Sequence, residues 1–387
     1  MGLRTHSSMV EQSTFNRLIR VRLSVGSPFY KYKMSNSFCR NISNSGYFIN
    51  VGNSLYKKPC CWVKHGSIPI TDKDSVDTSL KEIESTIMSD TKKHCQECID
   101  RDNLGYNVSH RKQSFDLIPN AAVDGDLYWL QLQVDTTCNA ACVMCGPHFS
   151  SLWKKQIDKN YKLEDYTEMY DKIISTHDFS KLKMISFMGG EPLLSDQNLR
   201  ILENVVYPSE VKIIYVTNGS VSVDKYLLDI WSKFRRVDVV ISIDGTEDQY
   251  DYIRWPLKWS KISDNISKIL DDTKDNPNIR INSTFTANPM NIFYFNKLEN
   301  WANSLNLDLS INVCHHPAWG LDGTPAIGRS YIEKTYGSDH KLTKMVMSLS
   351  EVPNKFDSLI KNMELLDSQR NLSYKKTFND ALSILIK

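Results

Sequence analysis

Six short segments rich in β-branched and aromatic residues recur between positions 127 and 314, and each ends at a turn signal. They are LYWLQLQV (127–134), KMISFMGG (183–190), VKIIYVTNG (211–219), RVDVVISIDG (236–245), IRINSTFT (279–286) and LDLSINVC (307–314). Amphipathic helical stretches lie between them: DQNLRILENVV (196–206), VDKYLLDIWSKF (223–234), SKISDNISKILDDT (260–273) and NIFYFNKLENWANSL (291–305). Alternation of this kind means right-handed βαβ units on a parallel sheet. Six units fit a partial (β/α) barrel, whose active site lies at the C-terminal strand ends. With 387 residues, 41% of them hydrophobic, the chain can bury such a core with a second, smaller unit beside it.

The unusual residues cluster at those strand ends. The first segment runs into DTTCNAACVMCGPHFSS, where Cys138, Cys142 and Cys145 stand in a C-x3-C-x2-C spacing. Thiolates are soft ligands for zinc or iron–sulfur clusters. Structural zinc takes four protein ligands, whereas three thiolates on a 4Fe–4S cube leave one iron open. Three structural cysteines, or a zinc site completed by His148, are the alternatives. The second segment ends in Gly189, Gly190, Glu191 and Pro192, where glycines let the backbone approach a ligand closely. The third ends at Asn218-Gly219. The fourth carries Ser242 and Asp244, two apart and so on one face, with Arg254 able to clamp a carboxylate soon after. A turn at Asp244-Gly245 and a surface Arg254 are the plain readings of those two.

In this order the residues resemble the radical S-adenosylmethionine (radical SAM) superfamily over about 125 to 315. The resemblance implies a 4Fe–4S cluster on Cys138, Cys142 and Cys145, and S-adenosylmethionine chelating its fourth iron. It implies that Gly189, Gly190 and Glu191 hold the amino group, Ser242 and Asp244 the ribose or nearby atoms, and Arg254 the carboxylate, with Asn218 at the same site. One-electron cleavage would give a 5′-deoxyadenosyl radical that abstracts hydrogen from a substrate, inside a barrel that excludes water. Met144 stands where the family often has an aromatic residue.

Most of the nine cysteines are clustered, which points to metal ligation in a reducing compartment, here the cytoplasm, and not to a disulfide scaffold. Upstream of the barrel lie Cys39, the Cys60-Cys61 pair and Cys95/Cys98. Their stretch resembles a twitch/SPASM auxiliary-cluster module, placed here before the barrel. The resemblance implies a second, fully ligated 4Fe–4S cluster on Cys39, Cys60, Cys95 and Cys98, with Cys61 the fallback for Cys60, and zinc or no metal the alternatives. The glycine expected five residues before the middle cysteine is missing, since position 55 is Leu and 56 is Tyr. The expected fold is thus α/β: a partial (β/α)6 TIM-like barrel (125–318), an N-terminal cysteine-rich module (34–110) and a C-terminal helical extension (329–387) that packs outside the barrel or closes its open edge. His315 and His316 sit past the last strand, where one could meet substrate, although packing or surface roles suit them better.

Residues 1–33 hold four Arg, two Lys and one acid. They read as a non-native or disordered leader, with THSSMVEQSTFN resembling a translated tRNA gene and Met34 as the start; a transit peptide is the alternative. A net charge of +2 gives no nucleic-acid footprint, and no apolar run of about eighteen residues exists. The expected partners are a peptide or small-molecule substrate and an electron donor such as flavodoxin or ferredoxin, with no membrane. An RNA-modifying radical SAM enzyme and a non-catalytic metal-binding scaffold are the competing functions.

Overall fold

The computed structural model describes residues 39–61, 63, 68–70, 82, 85–87, 89–95, 98, 99, 109–118 and 126–386. The expected leader and the start at Met34 lie outside these residues.

All six expected barrel strands form: β4 (Trp129–Gln133), β5 (Met184–Phe187), β6 (Lys212–Thr217), β7 (Arg236–Ser242), β8 (Ile279–Ala287) and β9 (Asp308–Val313). They pair in parallel and in chain order. The helices appear at 196–203, 225–231, 259–273 and, after a 3₁₀ turn, 295–304. Two more, Ser151–Ile157 and Thr167–Thr176, fill the first crossover.

Beyond β4 the sheet continues. The strands β1 (Ser45–Val51) and β2 (Ser54–Lys58) form a hairpin, and β3 (Ile68–Pro69) pairs with β2. Gly52 and Asn53 both have positive φ, 58° and 63°, as a two-residue hairpin turn of the mirror-image type requires. Strand β1 lies parallel to β4, with Tyr47 opposite Gln131. The sheet order is therefore β3-β2-β1-β4-β5-β6-β7-β8-β9. The sequence boundary before the barrel does not divide the sheet.

Alternation along the strands sorts side chains to two faces. Leu130, Leu132, Ile185, Phe187, Ile213 and Tyr215 pack with the helices. Their alternates Trp129, Met184, Met188, Ile214, Val216 and Val240 form a second core with Ile42, Tyr47, Ile49 and all five upstream cysteines. The cysteine-rich segment thus covers the inner face of the barrel sheet and shares its core. A small module gains buried area this way that it lacks alone.

The C-terminal helices do two jobs. Lys341–Met347 lies along β9, where Lys341 Nζ donates to the Leu309 carbonyl (3.2 Å). Lys355–Arg370 and the helices after it pack Leu359, Met363, Phe378 and Leu385 against Val143, Tyr252 and Trp319. The extension thereby covers the outer side of the cysteine loop. Among the described residues no helix is long and apolar enough to cross a membrane.

Candidate active site and auxiliary cysteine nest

The loop after β4 is pinned on every side. Ala141 N donates to Trp255 O (2.7 Å) and Val143 N to Ile253 O (2.9 Å), tying the loop to the segment that bears Arg254. Ser151 Oγ accepts from Cys138 N (3.0 Å), and Trp153 Nε1 donates to Cys142 O (2.8 Å). The Arg370 guanidinium stacks on Trp153 (4.5 Å) and Trp255 (4.8 Å). Few of these contacts involve the thiols, which leaves the sulfurs available as ligands.

One cavity gathers the expected residues. Cys138, Cys142, Cys145, Gly189, Gly190, Asn218, Ser242, Asp244 and Arg254 line it, joined by Met144, Thr286, Cys314 and His316. Glu191 is the exception. Its buried carboxylate accepts from Thr217 Oγ1 (2.7 Å), Asn218 N (2.6 Å) and Leu193 N (3.1 Å). It locks the ends of β5 and β6 together and does not itself line the cavity. Burial raises its pKa, and these donors offset only part of that rise.

The two glycines also have a structural reason. Gly189 has φ +114°, and a Cβ there would meet the Asp135 carbonyl at 2.5 Å. At Gly190 a Cβ would collide with the Thr137 carbonyl. Glu191 N donates to that same carbonyl (2.7 Å), so the β5 turn packs backbone-to-backbone on the entry to the cysteine loop.

Asp244 lines the cavity and also pairs with its neighbours. Its Oδ1 accepts from Thr286 N (2.8 Å), and its Oδ2 pairs with Arg254 Nη2 (2.6 Å). It orients the arginine. Arg254 Nη1 approaches Cys142 Sγ (3.9 Å), while its buried Nε has no partner. Burial alone would lower the Arg254 pKa, but Asp244 and Cys142 outweigh it and raise the value.

Burial, then Cys142, pushes the Cys138 thiol up to about 12. Burial also raises Cys142, with Arg254 opposing, and Cys145. Thiolates here require a cationic partner, as metal ligation supplies. Among the described residues, no three of the loop thiols, with or without His148, lie within 4.8 Å of one another. A zinc tetrahedron with bonds of about 2.3 Å needs its sulfurs about 3.8 Å apart.

The upstream cysteines come together too. Cys39, Cys60, Cys95 and Cys98 line one small cavity with Ile42, Val63, His94, His110 and Arg111. All four thiols are buried. Burial, then Cys60, pushes Cys39 up to about 12; burial, then Cys39, does the same to Cys95. No three of these four thiols lie within 4.8 Å of one another. Cys61 does not line that cavity, although it, like Cys60, contacts His110 Nδ1. Nothing in the sequence singles out His110; a lone histidine fifty residues from Cys60 carries no spacing signal.

His316 accepts from the backbone N–H of Ala318 and Trp319 at Nδ1 (3.2 Å each), and its other side lines the cavity. Burial, helped by Lys355, pushes its pKa down to about 4. His315 does not line the cavity.

Residues 130–260 match the family model of a 4Fe–4S single cluster domain, a span that holds nearly all the barrel-site residues above. Over 90 residues the chain is 31% identical to 7-carboxy-7-deazaguanine synthase of Clostridium acetobutylicum, covering 23% of this chain and 37% of that one. Both findings agree with the radical SAM resemblance carried by the barrel residues. The chain spans little more than a third of the length of that curated relative. Among solved structures, anSMEcpe with bound AdoMet is 18% identical, with a TM-score of 0.37 over 63% of this chain and 60% of its own. SuiB of Streptococcus suis bound to S-adenosylmethionine is 14% identical, with a TM-score of 0.33 over 60% of this chain and 52% of its own. Likenesses this distant say nothing of substrate.

Proposed function

We propose that this chain is a radical SAM enzyme that binds a 4Fe–4S cluster through Cys138, Cys142 and Cys145 and S-adenosylmethionine in the adjoining cavity. The observation that carries this is the single cavity joining three widely spaced thiols to Gly190, Ser242 and an arginine with an orphaned buried Nε–H. Bound there, the cluster and S-adenosylmethionine supply one-electron cleavage to methionine and a 5′-deoxyadenosyl radical, which takes a hydrogen atom from substrate.

The chain's own residues provide the rest. Arg254, held by Asp244, binds the methionine carboxylate. The glycine turn offers close backbone approach for the amino group, and Ser242 offers its hydroxyl to the ribose. Glu191 acts on the site by fixing Asn218 and the ends of β5 and β6. Met144 and Cys314 give the cavity apolar walls that keep water out.

The substrate is a peptide or small molecule. The weak net charge supports this over RNA. A second cavity suits such a ligand: it lies between the β1–β2 hairpin and the cysteine loop, lined by Tyr47, Asn50, Gln133, Lys154 and Glu164, and shares Phe149 with the first. Cys39, Cys60, Cys95 and Cys98 hold a second, fully ligated cluster, and an external flavodoxin or ferredoxin provides electrons.

Anaerobic reconstitution tests the reading. The reduced, cluster-replete chain should release 5′-deoxyadenosine from S-adenosylmethionine. A replete chain that releases none, even without substrate, has another function.

A further inference from the structure

Cys60, Cys61 and His110 stand closer together than the thiols of either expected cluster set. Cys60 Sγ lies 3.3 Å and Cys61 Sγ 3.5 Å from the same atom, His110 Nδ1. All three ligand atoms fall within 4.8 Å of one another. Exposure of the three residues is 7%, 3% and 2%. Zinc bonds of about 2.3 Å to sulfur and about 2.05 Å to nitrogen, at the tetrahedral angle, put sulfur and nitrogen about 3.6 Å apart. The observed separations are within a few tenths of an ångström of that edge.

The surroundings hold the histidine in place. Its ring packs edge-on against Trp129, with centroids 4.8 Å apart. It opens the helix His110–Leu117, whose N-cap Ser109 accepts from Lys112 N (3.1 Å). The Asn41 amide donates to the His110 carbonyl (2.9 Å). The two cysteines follow β2 directly. Imidazole and thiolate together suit zinc better than a cluster made only of thiolate corners.

We propose that Cys60, Cys61 and His110 form a binding site for a tetrahedral divalent cation of the zinc type, and that this ion and the second iron–sulfur cluster are alternative occupants because both use Cys60. The chain then has two states of the same nest. One is a closed cluster on Cys39, Cys60, Cys95 and Cys98. The other is a metal ion drawn to one side, onto Cys61 and His110, leaving Cys39, Cys95 and Cys98 as thiols.

Cobalt(II) is the probe, because tetrahedral thiolate coordination gives it diagnostic visible and near-ultraviolet absorption. The full chain carrying Cys138→Ala, Cys142→Ala and Cys145→Ala, stripped of iron, is titrated without oxygen. One equivalent of cobalt should bind with a tetrahedral spectrum and charge-transfer intensity for two thiolates. Cys61→Ser, which keeps the size of the side chain, should weaken binding at least tenfold. His110→Gln should do the same and shift the spectrum. Cys95→Ser with Cys98→Ser should leave it unchanged. Prior assembly of the second cluster should abolish cobalt uptake; this arm alone rests on the role of Cys60 in that cluster, and iron content reports on it separately. Cobalt binding that survives both Cys61→Ser and His110→Gln overturns the proposal. So does binding lost with Cys95 and Cys98, the absence of a tetrahedral spectrum, or cobalt and a full second cluster on one chain.

Discussion

The cysteine loop after β4 and the nest upstream of it hold similar numbers of thiols and solve opposite problems. In the loop, three cysteines lie within eight residues, partly exposed on a cavity open to small molecules. In the nest, the thiols come from segments far apart in sequence and are buried against the inner face of the sheet. In the function proposed above, local spacing with three thiols makes an open site for chemistry, and distant spacing with four makes a closed site that would tie the N-terminal segment to the barrel. Burial raises thiol pKa values in both places, so it is the number and reach of the ligands that separate them.

The largest effect should come from removing the open set. Cys138→Ala with Cys142→Ala and Cys145→Ala should abolish 5′-deoxyadenosine formation and leave about four irons per chain, those of one cluster. Zero iron in that variant would mean that the nest holds no cluster.

Removing part of the closed set should do the converse. Cys95→Ser with Cys98→Ser should keep the S-adenosylmethionine-responsive cluster and lower thermal stability, since the N-terminal segment loses its metal staple. Equal melting temperatures with and without iron would show that apolar packing alone holds the segment.

Within the open site, Arg254→Ala should weaken S-adenosylmethionine binding about 10- to 150-fold, the worth of one charge-assisted contact, with iron content unchanged. Glu191→Ala should act mainly on the fold. Losing an acceptor of three hydrogen bonds in a buried site costs about 3 kcal/mol. If it weakens binding as much as Arg254→Ala at wild-type stability, Glu191 touches the ligand after all.

The smallest effect is a pH dependence at the cavity rim. The His316 pKa falls from the ordinary 6.5 to about 4 in the folded chain. The unfolded chain takes up a proton first as pH drops, so stability is present above 6.5 and is lost as pH falls toward 4. His316→Gln should flatten part of that loss in a melting-temperature profile. An unchanged slope would assign the loss to other groups.

Much of the barrel could be read from the chain because its signals are local. The strands LYWLQLQV and VKIIYVTNG end at turns, and the helix at 259–273 buries Ile262, Ile266 and Ile269 on one stripe. The helix Ser151–Ile157 was not legible because it fully buries no residue. The hairpin at 45–58 carries a local signal, the Gly52-Asn53 turn. Three facts were out of reach. That the hairpin joins β4 depends on a pairing some eighty residues away. That Glu191 faces Thr217 and Asn218, and Asp244 faces Arg254, depends on where side chains point once β5, β6 and β7 are in register. That His110 meets Cys60 depends on tertiary packing against Trp129.

The contrast between an open and a closed cluster is tested most directly by adding S-adenosylmethionine to the two reduced cysteine variants and recording electron paramagnetic resonance spectra. The spectrum of the Cys95→Ser/Cys98→Ser chain should change on addition, because an open iron on Cys138, Cys142 and Cys145 takes the ligand. The spectrum of the Cys138→Ala/Cys142→Ala/Cys145→Ala chain should stay the same. A response in the second chain, or none in the first, would contradict the assignment of open and closed sites.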